Sequence, residues 1–290
     1  MIFEETLQTY KDSVKKAVGE LFRKAYSNQV NDTDLLLVLE NGLKQNYSQE
    51  QLARLKITPY FIGPEIVGLR YHGFYKFINE YRNLIFKKAD YKEEFKKQFS
   101  ERNYLYYYTL EQELLIYLKF WETDLILRRL YNLSRLARGL NYEWEYHQDF
   151  FNDRRKLVKE EIQNNLKKIT PKFYNLLDET YSRQIRNAVG HSQFYFLYDS
   201  IILTNKKEKP YYKLDSITFN DWELLFHKNI LLYNFMIYYY NLYSKKYQNQ
   251  VKDKHFGLLI SFPEKNTLGN YKTGWVKYDK SYSKWRWNDK

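Results

Sequence analysis

The segment Arg186-Asn187-Ala188-Val189-Gly190-His191 brings an arginine, an amide and an imidazole close together in sequence. On a helix that turns about 100° per residue, Arg186 lies roughly opposite Leu177 and so points away from the apolar stripe. Gly190 is a typical helix end, which would let the His191 imidazole fold back beside the guanidinium. The pattern predicts a fixed cation, a polar group that orients it and a proton carrier on one exposed ledge.

These three groups suit metal-independent cleavage of RNA. A base removes the proton of the 2′-hydroxyl, an acid protonates the leaving 5′-oxygen, and a cation stabilises the charge that develops at phosphorus. One histidine does not easily fill the base and acid positions together, whereas a C2 dimer supplies two copies of His191 and Arg186. We therefore expect a homodimer whose site is shared between two chains.

The motif, with an amphipathic helix before it and a hairpin and a long helix after it, resembles the HEPN superfamily. The signature of that family is an arginine, four to six intervening residues and a histidine, often with a polar residue directly after the arginine. The resemblance covers about residues 105–247. It implies a helical bundle and a metal-independent endoribonuclease that works as a dimer, with Arg186 and His191 catalytic and Asn187 supporting them at the catalytic site. It also implies no cofactor.

The same resemblance implies a biological role. Members of this kind commonly serve as toxins or abortive-infection effectors in antiviral defence, so an antitoxin or another defence-system protein is an expected partner. Gln193 stands where the toxin branch continues its motif with a tyrosine, so regulation by modification of that tyrosine is not expected here. Some members bind nucleotides or RNA without cutting. A non-catalytic RNA-binding or partner-binding subunit therefore stays open, as does an antitoxin or scaffold that only caps another protein.

Other residues are candidates for contact with RNA. Arg183 lies one turn before Arg186 and could meet a phosphate, and Tyr195 could stack on a base, although a solvated arginine and a packed aromatic are the ordinary alternatives. The last forty residues interleave cations with aromatic rings, which suits either single-stranded nucleic acid or docking of the tail by its tryptophans. The residues concerned are Lys272, Lys277, Lys280, Lys284, Arg286, Tyr278, Tyr282, Trp285 and Trp287.

Composition narrows the function classes. The 290 residues carry 47 Lys and Arg against 35 Asp and Glu, a net charge of +12, which favours polyanionic partners such as RNA or an anionic membrane surface. The absence of cysteine excludes disulfides, thiolate metal sites and cysteine nucleophiles. The remaining histidines form no helical pair with a nearby carboxylate, so no metal is expected. The chain lacks Gly-rich phosphate loops and a Gly-x-Ser-x-Gly elbow, which argues against ATPases, dehydrogenases and serine hydrolases.

The N-terminal residues lack the pattern of a signal peptide, and the apolar stretch Ile230 to Tyr240 is too short to cross a membrane. We therefore expect a cytoplasmic protein without a membrane partner.

Most of the chain around the motif is predicted to be helical. The sequence predicts a mostly α fold with an N-terminal helical region (1–100), a HEPN-like helical bundle (101–250) and a basic aromatic tail (251–290). A small β-hairpin is predicted after the Arg-x4-His helix, with strands Phe194–Thr204 and Tyr211–Ile217 around the loop 205–210. The predicted helices span residues 3–25, 35–42, 74–99, 105–138, 149–168, 171–190 and 222–243, and turns interrupt residues 57–73.

Overall fold

The structure is a computed structural model that describes residues 4–42, 62, 102–143, 153–210, 212–251, 256–263, 271–281 and 283–288. The helix predicted over 74–99 lies outside the described residues, as does the turn-rich segment 57–73 apart from Ile62.

Helices dominate the described chain, which confirms a mostly α fold. They are α1 (Glu4–Asn28), α2 (Asp34–Glu40), α3 (Arg102–Glu122), α4 (Asp124–Ala137), α5 (Asn164–Leu166), α6 (Pro171–Thr180), α7 (Arg183–Gly190) and α8 (Phe219–Val251). A π-helical segment, Lys156–Gln163, directly precedes α5, and a 3₁₀ turn spans Thr204–Glu208. The helix predicted over 105–138 is interrupted at Thr123, where α3 ends and α4 begins. The helix predicted over 171–190 is also broken, because Tyr181 and Ser182 are not helical and Ser182 caps a separate helix, α7.

Two antiparallel sheets of three strands complete the described fold. The first contains β1 (Phe194–Leu197), β2 (Ser200–Leu203) and β3 (Ser216–Thr218), with β2 in the centre. The second contains β4 (Leu258–Pro263), β5 (Tyr271–Asp279) and β6 (Lys284–Trp287), with β5 in the centre. The tail, in which the sequence shows no period, thus contains a sheet.

The hairpin differs from the prediction in its turn. β1 and β2 lie within the single strand predicted over 194–204, and their turn is formed by Tyr198 and Asp199. Tyr198 adopts a left-handed conformation with φ of 52°, which two-residue hairpin turns require but which usually selects Gly, Asn or Asp. The polar loop 205–210 leads instead to β3, which pairs with β2. Because the turn position holds an aromatic residue, the sequence lacks the usual signal for a turn here.

The chain divides into two compact units, each discontinuous in sequence. The first comprises the described residues within Met1–Lys15, His72–Thr123 and Asn175–Tyr233, and the second those within Lys16–Tyr71, Asp124–Tyr174 and Asn234–Lys290. The predicted domains were contiguous. The motif lies in the first unit and the second sheet in the second unit.

Aromatic side chains form much of the core of the first unit. Tyr117 and Trp121 of α3 are fully buried, and the Tyr117 ring meets Trp222 edge-on at 5.5 Å between centroids. Trp222 Nε1 donates to a carboxylate oxygen of buried Glu113 at 2.9 Å, which satisfies both polar groups inside the core. Because α3 packs against α7, this core fixes the helix that carries the motif.

In the second unit, α2 packs against α4 and buries Leu35 to Leu39. One face of the second sheet is also buried, and Phe262 and Trp287 meet there edge-on with centroids 4.5 Å apart. Trp285 is fully buried on the same face. Within the described ranges, we find no helix with the length and apolar character needed to span a membrane.

Candidate functional site

The first turn of α7 is held by a side chain from α3. Ser182 caps the helix by accepting a hydrogen bond from the Ile185 N–H at 3.3 Å. The Tyr117 hydroxyl accepts from the Ser182 N–H at 2.8 Å and donates to the Ser182 carbonyl at 3.3 Å. Burial raises the pKa of Tyr117 above its usual value, so the hydroxyl keeps the proton that this donation needs. The start of the motif helix is therefore fixed in position.

The helix ends at Gly190, as expected, but a different residue reverses the chain. Ser192 adopts the left-handed conformation with φ of 54°, whereas Gly190 remains helical. The Ser192 N–H donates to the Val189 carbonyl at 3.3 Å, and the Gln193 N–H donates to the Ala188 carbonyl at 2.7 Å. This is the bonding pattern of a Schellman motif, which satisfies the last carbonyls of the helix. It leaves His191 exposed at the helix end.

Arg186 is more enclosed than the sequence predicts. Its Nε and Nη2 atoms both donate to the Asn187 side-chain oxygen, at 3.2 and 2.7 Å. Its Nη1 atom lies 3.0 Å from a carboxylate oxygen of Glu122, and only 13% of the Arg186 side chain is exposed. The side chain does leave its own helix core, but α3 lies alongside and covers it. The guanidinium is thus oriented by one amide and one carboxylate.

Asn187 extends this network towards the loop that precedes β3. Its side-chain nitrogen donates to the Tyr212 hydroxyl at 2.5 Å, and Tyr212 is buried. The amide is thereby fixed with its oxygen towards Arg186. A continuous chain of contacts therefore runs from Glu122 through Arg186 and Asn187 to Tyr212.

No motif or spacing in the sequence selects Glu122 or Tyr212. Glu122 is the last residue of α3, and Tyr212 follows the hairpin of β1 and β2 in the sequence. Both contacts depend on tertiary packing, and no local spacing links these residues to Arg186. The available signal was the helical spacing of the apolar residues of α3, which are buried in the structure. The last of them, Trp121, directly precedes Glu122.

His191 occupies the position directly after the helix. Its N–H donates to the Asn187 carbonyl at 3.0 Å, which connects it to the motif through the backbone. Among the residues that the structure describes, no side chain forms a hydrogen bond with the exposed imidazole. The structure therefore brings Arg186 and Asn187 into direct side-chain contact and leaves the His191 side chain facing solvent.

The two residues predicted to contact RNA lie on either side of the motif. Arg183 is half-buried in the first turn of α7. Tyr195 is 50% exposed, since alternation along β1 turns Phe194 and Phe196 to the more buried face. Tyr195 lies opposite Ile202 of β2, on the same open face as Leu197. This face of the first sheet presents an aromatic ring to solvent.

No group of three or more His, Asp or Glu side chains in the described ranges has the arrangement to hold a metal ion.

Comparison of the chain with protein-family models, with curated proteins and with solved structures finds no match. The resemblance to the HEPN superfamily therefore stays a prediction that rests on the motif and its surroundings.

Proposed function

We propose that this chain is a metal-independent endoribonuclease of HEPN type, which acts in the cytoplasm as an abortive-infection or toxin effector against phage. The observation that carries the proposal is the oriented guanidinium of Arg186 on the helix whose end exposes the imidazole of His191. An antitoxin or another defence-system protein is the expected partner of such an effector. The net charge of +12 favours RNA as the substrate.

Each group of the motif has a defined task in this reaction. The neutral His191 imidazole takes the proton of a 2′-hydroxyl, and the resulting oxygen attacks the adjacent phosphorus. The Arg186 guanidinium stabilises the negative charge on the phosphoryl oxygens, and Asn187 keeps it in position. The 5′-oxygen leaves with a proton from an imidazolium. The products are a 2′,3′-cyclic phosphate and a 5′-hydroxyl.

The exposure of His191 supports a site shared by two molecules. A second copy of the chain would supply the imidazolium that protonates the leaving oxygen, and a homodimer is the simplest assembly that provides it. Trp222, Phe226 and Ile230 of α8 are buried within the chain itself, so they are not available to such an interface.

The test is RNA cleavage by the purified chain in excess EDTA, together with growth arrest on expression. Wild type cuts RNA and arrests growth, whereas Arg186→Ala and His191→Ala lose both effects and stay folded. The matched control is Arg155→Ala, which removes an arginine whose side chain is 45% exposed, in the other unit. The rate of cleavage should also change between about pH 5 and pH 9, because an imidazole must exchange protons. Undiminished cleavage by both motif variants would overturn the proposal.

A second function is favoured by the ion pair between Arg186 and Glu122. A guanidinium already held by a carboxylate and an amide can serve the fold alone. The chain would then be a non-catalytic RNA-binding or partner-binding subunit. Salt-sensitive affinity for RNA without cleavage products identifies this alternative.

A further inference from the structure

The second sheet has an open face with aromatic side chains on it. Trp275 of β5 is 44% exposed, and Leu259 lies directly opposite on β4 with 48% exposed. Phe256 precedes β4, is 55% exposed and contacts Trp275 with ring centroids 6.1 Å apart. Large apolar side chains that meet on an exposed sheet face are uncommon without a ligand or a partner.

The aromatic pair is held in place by the backbone around it. Gly257 has a φ of +88°, and any side chain at that position would collide with the Val276 carbonyl oxygen, so only glycine lets the chain pass this close to β5. Asn288 secures both ends of the contact. Its side-chain nitrogen donates to the Phe256 carbonyl at 3.2 Å, and its N–H donates to the Trp275 carbonyl at 2.8 Å. The two rings are therefore positioned before any ligand arrives.

Cations accompany the rings on this face. Lys277 lies two residues beyond Trp275 and directly opposite Arg286 of β6, so alternation places all three on one side of the sheet. Arg286 forms an ion pair with Asp279 at 3.1 Å and remains 38% exposed. In the described part of the chain, no carboxylate lies within ion-pair distance of Lys277. The described residues of the sheet from 271 to 288 include five basic side chains and one acidic one.

The sequence left two roles open for the aromatic residues of the tail: binding of nucleic acid and docking of the tail. The buried face of the sheet carries the residues that dock it. Trp285 and Trp287 are buried there with Phe262, and they dock the sheet on its own unit. Gly274 belongs to this packing, since a side chain there would collide with the Trp287 ring. The docking tryptophans are thus distinct from the exposed Trp275.

We propose that Trp275 and Phe256, flanked by Lys277 and Arg286, bind an unpaired stretch of nucleic acid. The bases stack on the rings, and the cations contact the phosphates of the same strand. Aromatic rings beside cations on an open sheet are the usual means of binding single strands, and the positive charge of the sheet is complementary to the phosphate backbone. A duplex keeps its bases inside and cannot use the rings. This site does not depend on the proposed cleavage at Arg186 and His191.

The experiment measures binding of a fluorescein-labelled 2′-O-methyl oligouridylate of about 12 nucleotides to the full chain by fluorescence anisotropy. This probe has no free 2′-hydroxyl, so it is not cut by the proposed nuclease route. We expect Trp275→Ala to weaken binding between about 5-fold and 150-fold, the range for loss of one stacked base. Trp275→Phe should retain most of the affinity, because a ring remains. Lys277→Gln should reduce the slope of log affinity against log salt by about 0.7.

The matched control is Tyr238→Ala, which removes a ring of similar exposure (46%) from α8 in the same unit and should bind as wild type does. An oligodeoxyuridylate of the same length should also bind, since rings and cations do not require a ribose hydroxyl. A duplex of the same length should bind more weakly. Equal affinity for duplex and single strand would overturn the proposal, as would unchanged binding by both Trp275→Ala and Phe256→Ala. Loss of self-association in Trp275→Ala, with oligonucleotide binding unchanged, would instead identify the face as an interface between copies of the chain.

Trp275→Ala distinguishes the two sites. It should lose affinity for the uncut probe, whereas it retains Arg186 and His191 and should still cut RNA in EDTA.

Discussion

The side-chain bond between Arg186 and Asn187 can be measured by a double-mutant cycle. The variants are Arg186→Ala, Asn187→Ala and the double substitution, and the quantity is the coupling in the free energy of unfolding. A hydrogen bond to a charged group contributes about 1.5 to 3 kcal/mol, and here two guanidinium nitrogens share one oxygen on a side chain that is 13% exposed. Since Glu122 still holds the guanidinium when Asn187 is removed, the lower end applies, and we expect a coupling of about 1.5 kcal/mol.

Urea unfolding followed by circular dichroism supplies the four free energies. Tyr212→Phe separates the two ends of the Asn187 amide, because it removes only the hydroxyl that accepts from the amide nitrogen. We expect Tyr212→Phe to reduce the coupling, since the amide is then free to turn its oxygen away from Arg186. A coupling within about 0.3 kcal/mol of zero, which is the scatter for independent sites, would show that the two side chains do not stabilise each other.

Three further predictions follow from contacts around the motif and in the first unit. Glu122→Gln removes the carboxylate that competes with phosphate for Arg186, and we expect RNA to bind about 5-fold more tightly, whereas unchanged or weaker affinity would contradict this role. Ser192→Gly removes the strain of the left-handed backbone and should stabilise the chain by about 0.5 to 1 kcal/mol in thermal unfolding. Gly190→Ala should stabilise it by a similar amount, because alanine is the better helix former and its methyl group meets Leu118 at an ordinary 3.7 Å. Burial lowers the pKa of His227 to about 4, below the 6.5 of the unfolded chain. The unfolded state then binds the proton more tightly, so the stabilisation present above pH 6.5 falls by about 3 kcal/mol as the pH drops to 4. His227→Gln should show a smaller loss over this range, and an identical loss in both proteins would contradict the assignment.

The parts of the fold that the sequence predicts are governed by local signals. Pro171 begins α6 because a helix needs no N–H at its first position, and α7 ends at Gly190 where the apolar spacing stops. Even there, the detail differs. Thr218 and Asp221 cap α8 through bonds of 2.7 and 3.1 Å, so the helix begins at Phe219, before its predicted start at Trp222. Local patterns thus locate the helical stretches, but they miss the breaks at Thr123 and at Tyr181 and Ser182.

The features that the sequence does not predict depend on contacts between residues distant in the chain. No residue near Arg186 in the sequence indicates that it pairs with Glu122. The Glu122 carboxylate lies beside Arg186 because α3 packs on α7. The sheet of the tail was hidden because both faces of β5 carry aromatic residues, Trp275 on the open side and Tyr278 on the other, so hydrophobicity alone does not alternate. Only the packing of Trp285 and Trp287 decides which face is covered.

The chemistry of the cut ends shows whether His191 drives attack by the 2′-oxygen. A defined oligoribonucleotide is treated with the wild-type chain in EDTA, and the products are identified by mass spectrometry. Attack by the 2′-oxygen predicts a 2′,3′-cyclic phosphate on one fragment and a 5′-hydroxyl on the other, with neither formed by His191→Ala. Fragments that end in a 3′-hydroxyl and a 5′-phosphate, or the same cyclic products from His191→Ala, would contradict the account.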